Sequence, residues 1–270
     1  MTKTMEIILL FFCYSFLGWL WETVYVSLRT KKFAYRGFLV GPITPIYGFA
    51  ILGVLFLLQP FTENIWLLFG GAVVICSVVE YITSWGLEKL FNASWWDYHD
   101  VPFNINGRVA LPISLFWGVC CVLISRIVHP WLAAVVAGVI AKTGYLFPIL
   151  FSVITVGDLI YTVYNMVGFK KIVATLNTAV EEKKAELTES LTDLKEQLGD
   201  DAEKYRQKLR ERRLTWLQEL KKQPEQWQAL PKLNAHQKRW LRNFQRLDFK
   251  KIPLSTEELK ELVRALQKKN

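Results

Sequence analysis

Five apolar stretches fall within the first 169 residues, at 7–28, 42–58, 65–87, 109–128 and 146–167, and only short loops separate them. A helix needs roughly 20 apolar residues to cross the hydrocarbon of a bilayer, and four of the five meet that length. The second is shorter and rich in proline and glycine. A further run at 131–144, WLAAVVAGVIAKTG, is about 14 residues long, which is short for a crossing and fits an interfacial or re-entrant helix. This pattern predicts an all-α, polytopic membrane bundle of about five spans. The first run is longer than the apolar core of a signal peptide, contains Glu22 and lacks a small-residue cleavage site, so it predicts an uncleaved span.

Charge divides the chain in two. Residues 1–169 hold nine Lys/Arg against eight Asp/Glu, whereas 170–270 hold 24 against 16. The expected organisation is a transmembrane domain at 1–169 and a basic cytosolic helical tail at 170–270. Lys/Arg in short loops set orientation. The first loop carries Arg29, Lys31, Lys32 and Arg36; the second carries none; the last span exits into Lys170 and Lys171. That bias places the N-terminus outside and the tail in the cytosol of a plasma-membrane protein, with Arg126 and Lys142 near the outer side against the rule.

Small and hydroxylated residues recur at three- and four-residue spacing: Ser15 and Gly18; Gly70, Ser77 and Ser84; Ser114, Gly118, Cys121 and Ser125; Ser152, Thr155, Thr162 and Asn165. Such stripes line one helix face and pack inward in lipid. Acids interrupt the same faces at Glu22, Glu80, Glu88 and Asp158. A lone carboxylate in the membrane is costly, and pairing with a cation offsets much of that cost. Glu22, Glu80 and Asp158 are therefore expected to meet Arg36 or Arg108, with Glu88 and Asn104 beside them. The cluster can serve as a ligand site or as a structural clamp, since buried ion pairs also specify packing.

Trp19, Trp21, Trp85, Trp95, Trp96 and Tyr98 gather at the same boundary. Interfacial belts of this kind are ordinary, and stacking on a cation is the alternative. Asp97, His99 and Asp100 share one loop, a weak metal signal. Cys13, Cys76, Cys120 and Cys121 lie in apolar runs without C-x-x-C spacing and read as packing residues. No G-x-x-x-x-G-K-[ST], H-E-x-x-H or G-x-S-x-G is present, so neither ATP binding by the chain's own P-loop nor enzyme activity is expected. No cofactor and no metal are expected.

In the tail, Val180, Leu187 and Leu194 repeat by seven with Leu191 and Leu198 between, giving about three coiled-coil-like heptads. Gly199, Asp200 and Asp201 mark a turn into a second stripe at Tyr205, Leu209, Trp216 and Leu220. Trp240, Leu241, Phe244 and Leu247 mark a short amphipathic helix, and Ser255 with Glu258 caps a last one. Interspersed acids and the absence of a recognition motif argue against nucleic acid. A basic tail of this kind can bind a partner or rest on anionic lipid, the basis of an alternative reading as a non-transporting membrane scaffold.

The blocks GWLWE (18–22), RGFLVGPITPIYG (36–48), EYITSWGLEKLF (80–91), WWDY (95–98), FNINGRV (103–109), SLFWG (114–118) and HP (129–130) occur in this order. Together they resemble the bacterial membrane family labelled putative ABC-transporter type IV, over roughly residues 10–165. The resemblance implies a permease subunit working with a separate ATPase, but no settled binding residues. Five spans are few for a complete transporter, so a homo-oligomer or hetero-complex is expected as well.

Overall fold

The computed structural model describes residues 2–91, 93–171, 234–243 and 248–249. The heptads, the turn at 199–201, the stripe at 205–220 and the cap at Ser255 lie outside the described residues. Two compact units are present, Met1–Tyr164 and Asn165–Asn270. Four helices are long and apolar enough to cross a membrane: α1 (Thr2–Thr30), α3 (Ile65–Phe91), α4 (Leu111–Thr143) and α5 (Leu146–Lys171). Between the first two lies a shorter apolar helix, α2 (Pro45–Leu57). Side chains such as Trp66, Val74, Ile82, Val153 and Ile160 are well over half or nearly so exposed on these helices. Water would penalise so large an apolar surface, and lipid would not.

α1 ends where Lys31 turns to positive φ and the Thr30 hydroxyl bonds back to the Val26 carbonyl (2.8 Å). The chain then runs without helix to Thr44, whose N–H donates to the Ser15 carbonyl of α1 (2.9 Å). Pro45 opens α2, where its missing N–H costs nothing. At 13 residues α2 measures about 20 Å, two thirds of a hydrocarbon core. α2 packs tightly on α1: a Cβ on Gly18 would run into the Tyr47 ring, and one on Gly48 into Phe11.

α2 also joins two cores. One gathers Leu9, Leu10 and Tyr14 of α1, Ile51 of α2, and Leu132, Val136 and Ile140 of α4. The other gathers Val54 and Leu58 with Leu68, Ala72 and Cys76 of α3 and Cys121 of α4. Asn64 caps α3 by accepting from the Trp66 and Leu67 N–H groups (3.0 and 3.2 Å). Along α3 and α4 the small-residue faces meet: the Ser77 hydroxyl donates to Ser114 (2.7 Å), and the Cys76 and Cys121 sulfurs are 3.5 Å apart.

Residues 131–144 differ from the expected separate interfacial helix, because they continue α4 to Thr143. Pro130 has no N–H to offer the carbonyl of Arg126, yet the helix does not end there. It passes through a π-helical turn at Ile124–Val128, with the His129 N–H donating to the Ile124 carbonyl five residues back. Arg126, within this turn, donates to the carbonyls of Thr62 and Glu63. The His129 ring is hydrogen-bonded to the Tyr14 hydroxyl (2.8 Å).

Candidate functional site

The loop after α3 sets the site's frame. Asn104 and Ile105 (β1) pair antiparallel with Val109 and Ala110 (β2). Within this hairpin the Asn104 amide donates to the Val101 and His99 carbonyls (2.9 and 3.2 Å), and its oxygen accepts from the Gly107 N–H (3.0 Å). Gly107 sits at φ +65°, with the His99 ring and the Asp97 carboxylate where a Cβ would be. Asn104 is thus part of the loop's scaffold. The Tyr98 N–H donates to the Gly107 carbonyl (2.8 Å), which aims the Tyr98 ring back toward α3.

Three carboxylate sites follow, each with different partners. On α1, Glu22 accepts from the Tyr47 hydroxyl of α2 (2.8 Å) and pairs with Arg36 (3.6 Å). Trp19 holds the Arg36 backbone by donating to its carbonyl (3.1 Å), and the Arg36 N–H donates to Thr23 (3.3 Å). On α3, Glu80 accepts from the Tyr98 hydroxyl (3.0 Å). Just over two turns further along, Glu88 pairs with Arg108 at 2.9 Å, both side chains only 15% exposed.

Arg108 also donates to the Tyr81 hydroxyl (3.2 Å) and lies over that ring at 5.2 Å, while its carbonyl accepts from Trp96 (2.9 Å). Burial works against the Arg108 cation, but the bond and charge of Glu88, with Tyr81, outweigh it and leave its pKa above the ordinary arginine value.

The expected meeting of acids and arginines is therefore only partly seen. Glu22 finds Arg36, and Arg108 is taken by Glu88 rather than by Glu22 or Glu80. Among the described residues no arginine reaches Glu80 or Asp158 within ion-pair distance. Asp158 of α5 instead accepts from the backbone N–H groups of Val40 and Gly41 (2.9 and 2.7 Å) and from Thr162 (2.9 Å). The coil before α2 lacks helical hydrogen bonds, and this carboxylate accepts from two of its N–H groups at once.

Glu22, Arg36, Tyr47, Glu80 and Tyr98 nonetheless share one electrostatic neighbourhood. The Tyr98 phenol is pushed up from its usual value, first by burial and then by the charge and hydrogen bond of Glu80. Glu22 adds to the effect and Arg36 opposes it. Tyr98 is thus a neutral hydroxyl donor held among two carboxylates and one guanidinium. Tyr47 and Tyr81 escaped the sequence reading because a boundary tyrosine reads as belt. A usable signal was present for Tyr81, which lies seven residues from Glu88 and so on the same helix face.

The aromatic residues divide by environment. Trp95 is buried, its ring edge-on to Phe38 and Phe91. Trp21 and Trp85 are about half exposed, Trp21 stacking on Tyr25 and Phe116 and Trp85 lying 6.0 Å from the Lys89 ammonium. The Asp97 carboxylate accepts from the His99 backbone N–H (2.9 Å) and contacts its ring, closing a local turn. Among the described residues no three His, Cys, Asp or Glu side chains stand together as a metal would require.

Comparison with curated proteins and with solved structures finds no match. The family described as putative ABC-transporter type IV matches residues 9–163, which take in most of α1, all of α2 to α4, most of α5 and every carboxylate described above. The chain, a multi-pass membrane protein by its helices, belongs to that family.

Proposed function

We propose that the chain is a permease-like component of a transport system, with Glu22, Arg36, Tyr47, Glu80 and Tyr98 lining a polar, cytosol-facing route for a solute. The observation that carries this reading is the partner count at the two intramembrane carboxylates. Glu22 and Glu80 lie within each other's field, and among the described residues Glu22 pairs with one cation, Arg36, while Glu80 pairs with none. Their remaining partners are two tyrosine hydroxyls, one on a short helix and one on a loop. A structural clamp is better served by a closed ion pair, such as the one Glu88 and Arg108 already make. Hydroxyl partners on short elements can be exchanged for a solute's polar groups at small cost.

Family membership supports the transport class. The sequence has no P-loop, so the energy of ATP would come from a separate ATPase subunit. Five crossings also leave room for a second copy or another membrane subunit.

The test is complementation of a deletion strain. Glu80→Gln keeps the size and one acceptor of the side chain, so it should insert and fold normally while losing most of the transport phenotype. Arg108→Ala should instead lower the amount of folded protein. Full complementation by a well-folded Glu80→Gln protein would sink the reading.

A further inference from the structure

The side chains around Glu22 and Glu80 restrict what can enter between them. An ionised carboxylate accepts hydrogen bonds and cannot donate. Glu22 holds the Tyr47 hydroxyl (2.8 Å) and Arg36 (3.6 Å), and Glu80 holds the Tyr98 hydroxyl (3.0 Å). Tyr98 lies in the field of both carboxylates and of Arg36, so these side chains act as one group. Glu22, Arg36, Glu80 and Tyr98 are half-buried rather than sealed.

Aromatic rings stand beside the acids. Tyr47 is edge-on to Trp117 of α4 (5.2 Å between centroids), Trp117 is edge-on to Phe116 (5.1 Å), and Phe116 stacks on Trp21 of α1 (6.0 Å). Rings next to carboxylates suit a cation, which their quadrupole attracts.

The seam between α1 and α2 adds an independent observation. Ser15 Oγ is completely buried and has no hydrogen-bond partner among the described residues. It faces α2 at Gly48, 2.5 Å from where a Cβ there would sit, and Gly48 follows Tyr47. Thr44 Oγ1, one turn before Tyr47, is likewise buried and unpaired among the described residues. Buried hydroxyls are normally satisfied, so two such groups beside Tyr47 favour a guest that brings hydrogen-bond donors.

Charge selects the guest. With both acids ionised, two carboxylates share one guanidinium among the described residues, in a setting where net charge is costly. An anionic solute would add to that imbalance, and a neutral one would leave it. An ammonium group supplies the missing charge, and its N–H groups can replace the tyrosine hydroxyls on the carboxylates. We propose that the solute of this site is a protonated amine, bound by Glu22 and Glu80 with Tyr47 and Trp117 as its aromatic wall. The assignment rests on the permease reading above and narrows it to one class of cargo.

The full-length protein in neutral detergent provides the test, with melting followed by tryptophan fluorescence at fixed ionic strength. Replacing sodium chloride by n-butylammonium chloride should raise the melting temperature by several degrees. Sodium butyrate, of the same length and opposite charge, should not. Tetramethylammonium chloride, a cation without N–H groups, should give less than half of the rise. Glu80→Gln should lose at least half of it. Tyr98→Phe separates binding from folding: it starts from a lower melting temperature, yet should show a rise at least as large, because the competing hydroxyl is gone. No shift from butylammonium, an equal shift from butyrate or tetramethylammonium, an undiminished shift in Glu80→Gln or a lost one in Tyr98→Phe would each overturn the proposal. Complementation separates that failure from failure of the permease reading. If butylammonium gives no shift while a well-folded Glu80→Gln protein still loses the transport phenotype, the amine is wrong and the permease stands. If the shift is as expected while Glu80→Gln complements fully, the permease falls and an amine-binding site remains.

Discussion

At the scale of single residues, the tyrosine hydroxyls decide how the intramembrane acids are tolerated. Tyr98 is the donor that reaches Glu80, at 3.0 Å. Removing a hydrogen bond to such a group costs about 2 kcal/mol. Tyr98→Phe should therefore unfold several degrees below wild type in detergent, and its loss and that of Glu80→Ala should not add in the double variant, because both remove the same bond. Additive losses would mean that the two side chains do not interact. Gly107 is a second such point. With φ at +65° and the Asp97 carboxylate 2.6 Å from where a Cβ would sit, Gly107→Ala should cost about 2 kcal/mol. The same melts would detect it. The acids and arginines themselves were legible in the sequence, because charge in an apolar run stands out. Their pairing was not. Glu88 and Arg108 sit on different elements, and a hairpin whose geometry rests on Asn104 and Gly107 brings them together. No local pattern encodes that meeting.

At the scale of elements, α2 is the piece on which the bundle turns, since both apolar cores include it. The sequence showed a proline- and glycine-rich stretch at 42–58, but not that the coil just before it is latched by Asp158 from α5. Backbone N–H groups leave no trace in composition, so their need for a carboxylate could not be read. The latch is testable. Asp158→Asn sets an amide donor against one of the two N–H groups of Val40 and Gly41, and should speed hydrogen exchange of 37–44 while leaving α3 protected. Unchanged exchange there would show that the contact contributes nothing. The α3–α4 register has its own check in the 3.5 Å between Cys76 and Cys121. A variant with serine at Cys13 and Cys120 should form an intramolecular cross-link on mild oxidation with copper phenanthroline, seen as loss of maleimide labelling in denaturant. In α4, the sequence reading ended the span at Val128, just before His129 and Pro130. One π-helical turn carries the helix past it, and Arg126 within that turn donates to the carbonyls of Thr62 and Glu63.

At the scale of the whole molecule, crossings and charge together predict an orientation that an experiment can decide. Phe38, in the coil after α1, packs on Phe91 and Trp95 at the end of α3, so α1 and α3 deliver the chain to the same side. The segment between them must return across the membrane, which makes 37–57 a crossing although its helix is only 13 residues long. α4 then leaves that side and α5 comes back to it. Arg29, Lys31, Lys32 and Arg36 lie in the loop on this side, whereas the opposite loop, 59–64, has no Lys or Arg. A bias of that size directs the basic side to the cytosol. Green fluorescent protein fused after Asn270 should therefore fluoresce and alkaline phosphatase at the same place should be inactive. Phosphatase fused after Glu63 should be active. The reverse pattern would put the carboxylate cluster on the outer side. An ATPase subunit could not then reach the tail, and the transport reading would lose its source of energy.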